Sequence, residues 1–252
     1  SLQTVSYSDT TWALLFNAAE GSVFQNQQLR QALAGIAREN ADVPSSGLYA
    51  AAKGLVPEGL TVDGLDYRET AGNPLPTIPE PKALYLAARQ GMSTSDFSGV
   101  TLLLPKNAGL SELADQINSA WQKECSLFFS VEEVEQDEFD ARIAAGKYTI
   151  ALAPIRAEGG SVYQMLQQFT TEGGSLTGYA DTVYADRLAL SAQQTGKDRC
   201  ALLAQCERQL LESCTVVPLM AQQKRLLLAN GVRDLVFDPF FPVLDLTWAK
   251  MS

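Results

Sequence analysis

The chain has 252 residues, 46% hydrophobic and 19% charged, enough for one large domain or two small ones and unlike collagen, coiled coils or disordered chains. Its formal charge of −10 and pI near 4.6 would repel phosphate backbones and anionic lipid, which argues against a nucleic-acid partner. Histidine is absent, so Ser-His-Asp and Cys-His catalysis, the usual zinc sites and the commonest general base are excluded.

Ser1 to Thr10 lacks the basic and apolar regions of a secretion signal. Trp12 to Asn17, WALLFN, reads as a short apolar strand. Asn26 is an N-cap candidate for a helix whose apolar face is Leu29, Leu33 and Ile36. Residues 44–81 hold six of the eleven prolines and read as a long irregular excursion, which fits a functional segment, one packed on a neighbour, or a solvated linker.

An α/β pattern follows. Pro81 to Gln90 is an expected helix, and Val100 to Leu104 a strand. Ser111 is placed to cap a helix whose stripe is Leu113, Ile117, Ala120 and Trp121. Leu127 to Val134 is the next strand, a helix carrying Phe139 and Ile143 ends at Gly146, and Tyr148 to Ala153 is another strand. Alternating strands and helices imply a largely parallel sheet. Helices with Val162, Met165, Leu166 and Phe169, then Tyr184 and Leu188, then about Asp198 to Glu212, precede two expected strands at Thr215–Met220 and Lys224–Ala229. The tail to Trp248 is aromatic and proline-marked.

Few motifs carry chemistry. No Walker loop, GxGxxG or GxSxG is present. Two echoes, Glu158-Gly-Gly-Ser-Val and Glu172-Gly-Gly-Ser-Leu, fit either a main-chain anion nest or ordinary turns. The carboxylates from Glu132 to Asp140 lack calcium-loop spacing and suit an exposed strand edge leading into a helix N-terminus. Cys125, Cys200, Cys206 and Cys214 contain no CxxC and read as buried thiols. Trp121 belongs to a packing stripe, whereas Trp12 and Trp248 flank the chain ends, where core packing and an inter-lobe surface both fit.

Trp12-Ala-Leu-Leu-Phe-Asn17, Phe24-Gln-Asn with Leu29-Arg-Gln-Ala-Leu, Arg142-Ile-Ala-Ala-Gly-Lys-Tyr148, Gly178-Tyr-Ala-Asp181 with Tyr184-Ala-Asp186, and Val217-Pro-Leu219 succeed one another in an order that resembles the C-terminal lobe of family 5 extracellular solute-binding proteins. These are the peptide receptors of ABC importers. The resemblance implies an α/β chain: one lobe of a periplasmic-binding-protein-like (type II) fold, with a mixed, largely parallel sheet flanked by helices. It implies a single lobe over 1–252, with hinge or inter-lobe segments at 1–11 and 234–252 and an N-terminal lobe missing. The expected partners are a peptide or other small polar ligand, an ABC transporter permease and that missing lobe, on the extracellular face of the membrane or in the periplasm, with lipoprotein anchorage a family expectation.

The resemblance also implies ligand-binding residues. Family members carry a tryptophan and an acidic element where this chain has Pro154-Ile-Arg156-Ala-Glu158. Glu158 is the substitute acid, and Arg156 favours a ligand carboxylate. Tyr179 is a cleft-lining candidate; Trp12 and Asn17 complete the set, and Asn17, like Arg30, also reads as structural. No cofactor, metal ligand or catalytic residue is expected. The competing classes are an enzyme built from Asp, Glu, Lys or Tyr, and an interaction module derived from the receptor lobe.

Overall fold

The computed structural model describes residues 2–44, 46–170 and 175–229 and the short strands β9 (Val232–Arg233), β10 (Val236–Phe237), β11 (Leu244–Asp245) and β12 (Lys250–Met251), with side chains described within 6–225. Trp248, the expected role of 234–252 and most of the second Gly-Gly-Ser echo lie outside the described residues.

The chain opens with β1 (Leu2–Phe16), a strand rich in Thr, Val, Tyr and Trp, residues that favour pleated backbone. Trp12 to Phe16 of the WALLFN segment are its final third, and Asn17 lies just past its end. Residues 2–11, expected as a hinge segment, are strand, paired with β8 (Val216–Ala229) from Leu2↔Ala229 onward. The polar Ala221-Gln-Gln triplet reads as a gap between two strands, yet β8 is continuous. Register shifts between Tyr7 and Thr10 and between Trp12 and Ala13 absorb the irregularity, as β-bulges do.

The remaining elements are α1 (Gln27–Asn40), β2 (Tyr49–Ala51), β3 (Thr61–Val62), β4 (Leu65–Asp66), α2 (Tyr67–Ala71), α3 (Pro81–Ala88), β5 (Thr101–Pro105), α4 (Ser111–Cys125), β6 (Ser130–Val134), α5 (Gln136–Ala144), β7 (Ile150–Arg156), α6 (Val162–Gln167), α7 (Thr182–Ser191) and α8 (Gly196–Glu212). The main sheet has the order β2-β8-β1-β7-β5-β6. β5 pairs parallel to β6 and β7, while β1 is antiparallel to both β7 and β8, and β2 to β8. β5, β6, β7 and β8 therefore run one way and β1 and β2 the other, the mixed, largely parallel sheet that was expected.

Because side chains alternate across a strand, the sheet carries two cores. Trp12, Leu14 and Phe16 face α1, α3 and α4, and Ala13 and Leu15 face α2, α5, α6, α7 and α8. The α4 stripe lands as its spacing predicts: Leu113, Ile117, Ala120 and Trp121 are buried, and Trp121 Nε1 donates to Leu33 O at 2.9 Å. Asn118 locks the following turn, with its amide donating to Phe129 O and its carbonyl accepting from Phe129 N. Asn26 caps α1 by accepting from Leu29 N. Ser111 does not cap α4. It is the first helical residue, preceded by Leu110, and its hydroxyl donates to Glu133.

The excursion of 44–81 is packed. It contains β2, the β3–β4 hairpin and α2, and buries Leu55, Val56, Leu60 and Tyr67 in the α8-side core. Glu207 of α8, fully buried, accepts from Val56 N, Tyr67 OH and Arg68 Nη2. Gly54 is obligatory here, since a Cβ would sit 2.6 Å from Glu207 Oε1 and 2.7 Å from Arg68 Nη2. The acidic run lies on edge strand β6 and the first turn of α5, where charge deters edge pairing and suits the helix dipole. Arg142 takes up Glu132 at 2.8 Å. All four cysteines are buried free thiols.

Candidate functional site

In open α/β sheets ligands bind outside the carboxyl ends of the strands, where neighbouring crossovers diverge. Here β5 is followed in sequence by β6 on one flank, and β6 by β7 on the other, so that point lies at the ends of β5 and β7. β7 overshoots its neighbour. Leu103 pairs with Ala151, and no pairing to β5 continues beyond it, so Pro154 to Arg156 project past Pro105. On the other flank these residues remain paired to β1, Trp12↔Pro154 and Thr10↔Arg156.

Ala157 N donates to Asp9 O, which sets the parity of this edge. Main-chain groups alternate sides along a strand, so Pro154 C=O and Arg156 N–H point away from β1, towards the flank that β5 has left. A proline inside a strand is tolerated where ladder bonding ends, and Pro154 occupies such a place. Arg156 O is taken by Gln168 Nε2 at 3.0 Å, which braces the strand end against α6.

Charge collects around this open strip. Arg156 and Glu158 are exposed, and neither side chain has an ion-pair partner among the described residues. Lys106, just after β5, meets Glu135 at 2.9 Å. Asp9 is bound by Lys224 Nζ at 2.6 Å and by Thr10 Oγ1 at 2.7 Å, at the register shift in the β1–β8 ribbon. Three buried polar atoms within one stretch of β1 have no partner among the described residues: Ser8 Oγ, Thr11 Oγ1 and Trp12 Nε1. Buried polar groups are nearly always satisfied, so such a cluster marks the edge as unusual.

The five ligand-binding candidates do not converge. Arg156, Glu158 and Trp12 share the carboxyl edge. Asn17 follows the other end of β1, seven residues from Thr10, about 23 Å along a strand. Its amide donates to Gly146 O and Tyr148 O, both at 2.9 Å, and its carbonyl accepts from Ala19 N, so the fold uses its hydrogen-bonding capacity. Tyr179 follows Gly178, which abuts Ala19, and so belongs to that same opposite edge. Its hydroxyl donates to Asp181 Oδ2 at 3.0 Å, its ring stands edge-on to Tyr184, and burial followed by the Asp181 bond pushes its pKa up. Arg30 is likewise structural, donating to Phe24 O, Gln25 O and Ser213 O.

The Glu158–Gly160 turn leaves no open nest. Gly160 N donates to Ala157 O, Ser161 N to Glu158 O, and Ser161 Oγ caps Gln164 N. The partners of the site that sequence reading did not single out are Asp9, Thr10 and Lys224. Their signal was faint: a polar Ser-Asp-Thr-Thr run before an apolar strand, and a lysine ending a run of glutamines.

No family model matches the sequence, and no curated protein matches it. Solved structures do match in fold. An oligopeptide ABC transporter substrate-binding domain from Bacillus anthracis str. Ames is similar with a TM-score of 0.77 and 17% identity over 99% of this chain and 51% of its own. Listeria monocytogenes OppA bound to peptide gives 0.76 and 19% over 99% and 50%. The pheromone receptor PrgZ, described with its mode of peptide binding, gives 0.78 and 18% over 100% and 50%. The chain spans about half the length of the structures it matches, and its fold is that of one lobe of a type II periplasmic binding protein.

Proposed function

We propose that this chain is the C-terminal lobe of a family 5 solute-binding protein, holding a peptide or similar polar solute against its carboxyl edge for delivery to an ABC importer. The observation that carries the reading is the open main chain of Pro154 to Arg156, in a fold shared with peptide-binding proteins. An extended peptide laid there gains main-chain hydrogen bonds as an added strand does. Arg156 offers a fork to a carboxylate, and Glu158 an acid to a cation. A second lobe closing over this edge supplies the other wall and excludes water, the hinge logic of two-lobed receptors. The ribbon of β1 and β8, running past the strip, is the natural path to that lobe. The reading is of a binding protein without catalysis, working outside the membrane beside a permease.

Calorimetric titration of a mixed pool of short peptides tests it, using this chain alone and joined to an N-terminal lobe. Saturable binding by the two-lobed form and little by the single lobe is expected. If neither form binds, the peptide-receptor reading is lost.

A further inference from the structure

One helix is apolar on the side that faces solvent. α3 reads Pro-Lys-Ala-Leu-Tyr-Leu-Ala-Ala, with Lys82 its only charged residue. Tyr85 and Ala88 are buried on the core side, while Ala83, Leu86 and Ala87, spaced i, i+3, i+4, form an exposed face on which Leu86 is 59% accessible. A surface helix normally turns charged and polar residues outward, and one that is apolar all round is ordinarily covered. Beside this face a groove of about 630 Å³ runs between α3, the last turn of α1 and the end of α4, lined among others by Ile36, Glu39, Glu80, Pro81, Leu86 and Glu124.

We infer that this groove docks a basic amphipathic segment of a partner protein, its apolar residues on Leu86 and its lysines or arginines against Glu39 and Glu80. The inference stands apart from the receptor reading, since it uses none of the residues at the carboxyl edge.

Charge on the rim selects the partner. Glu124 is already taken by Lys82 at 3.1 Å and Lys123 at 3.6 Å. Glu39 and Glu80 are exposed, and neither has an ion-pair partner among the described residues. Arg38, next to Glu39, is engaged elsewhere, donating to Pro76 O at 2.7 Å. Glu39 also lies in the last turn of α1, where the helix dipole disfavours a carboxylate and favours a cation. An incoming lysine or arginine meets two free carboxylates and that dipole end, and the apolar face of α3 gives its neighbours area to bury. A second copy of this chain, at −10, and an anionic lipid surface are both opposed by the same charges.

Glu80 is held in place at a cost. Its backbone is left-handed, φ 47° and ψ 58°, a region that a residue with a Cβ adopts only under strain. It stands at the N-cap of α3 yet makes no capping bond, so its carboxylate is not spent on the helix. Strain at a residue whose side chain the fold leaves unused points to a use outside the fold. The wall behind it is fixed. α1 and α3 approach so closely at Gly35 that an added Cβ would lie 2.8 Å from Pro81 Cβ, and a preformed groove lowers the ordering cost of docking.

The test is fluorescence anisotropy of the chain with a labelled helical peptide of about 14 residues, leucines on one face and lysines on the other, beside its glutamate-for-lysine and serine-for-leucine counterparts. The basic amphipathic peptide is expected to bind saturably and to weaken as salt is raised, and both counterparts to bind at least about tenfold more weakly. Leu86→Ser is expected to weaken it about tenfold, and Glu39→Gln with Glu80→Gln about fivefold. All three side chains are exposed, so melting temperatures should hold. Glu80→Gly should melt no lower than the parent, since glycine relieves the left-handed backbone, and should still lose affinity. In amide NMR of the same titration, residues 36–40 and 82–87 should move.

No saturable binding, equal binding of the three peptides, or undiminished binding by Leu86→Ser overturns the proposal. Amide shifts confined to residues 155–158 overturn it too, since they place the peptide on the ligand edge and leave the receptor reading standing. Dimerisation of the parent that Leu86→Ser abolishes also overturns it, because the groove then takes a second copy.

Discussion

Arg68 Nη2 lies 2.5 Å from Glu207 Oε1, joining a short helix in the proline-rich excursion to a residue 139 positions away in α8. Glu207 is fully buried, and its other carboxylate oxygen accepts from Tyr67 OH at 2.9 Å. Burial and the adjacent carboxylate hold the Tyr67 phenol well above its ordinary pKa, so it stays a donor. Glu207→Ala leaves Tyr67 OH and Val56 N without their acceptor and the Arg68 charge without its carboxylate, although Arg68 still donates to Val56 O and Gly72 O, and a loss of about 3–5 kcal/mol is expected. Adding Arg68→Met to it should recover part of that loss. Urea unfolding of both variants measures this, and a cost under about 1 kcal/mol, the level of an exposed pair, would show that the pair does not clamp the loop.

Asn17 and Arg156 stand at opposite edges, and their alanine variants should separate. Asn17→Ala removes three hydrogen bonds to main chain and is expected to cost about 1–3 kcal/mol of stability with no change in peptide affinity once folded. The Arg156 side chain has no ion-pair partner among the described residues, so Arg156→Ala should change stability by less than about 0.5 kcal/mol while weakening acidic peptides in the two-lobed form. Paired unfolding and calorimetric measurements decide it, and the reverse pattern would move the site to the Asn17 edge.

The contrast shows what the sequence carries. The α4 stripe was legible because four apolar residues at helical spacing leave one solution, and the β5–α4–β6–α5–β7 alternation likewise implies co-directional strands. The length of β1 was not legible. Between Ser6 and Thr11 every residue but Tyr7 is polar, so no alternation of apolar and polar residues marks the strand, although Ser8, Thr10 and Thr11 are buried. The candidate site was only partly legible: Arg156 and Glu158 stood out in the sequence and lie on the open carboxyl edge, whereas the hydrogen bonds that hold Asn17 and Tyr179 within the fold could not be read from it. Asp9 and Lys224 are 215 residues apart, and only the antiparallel register brings them together.

Trp121 joins the two sides of its core layer. Its indole donates to Leu33 O of α1, and its ring lies edge-on to Phe129, centroids 5.5 Å apart. Trp121→Phe keeps most of the volume but removes the indole donor from Leu33 O, which retains its bond within α1, so a loss of about 0.5–1.5 kcal/mol is expected. Trp121→Ala adds a cavity and should cost about 3–5 kcal/mol. Thermal unfolding followed in the near-ultraviolet measures both, and equal costs would mean that the hydrogen bond, not the ring, is what the core requires.

The thiols give a pH dependence with a definite sign. Burial pushes Cys125 and Cys206 up to about 12 and Cys214 to about 11. An unfolded thiol titrates near about 8.5, so above that pH the unfolded chain holds fewer protons than the native one. Their contribution to stability is therefore whole below about pH 8 and is lost progressively as pH rises towards the folded values. Urea midpoints should fall between neutral pH and pH 10, and the fall should be shallower in Cys206→Ala than in the parent. At pH 8 a thiol reagent should leave the native protein untouched and label all four cysteines once guanidinium unfolds it, because burial withholds access from all four and charge from Cys125, Cys206 and Cys214, and the thiolate is the nucleophile. Rapid labelling of the folded protein at any of the four would show that its core opens without unfolding.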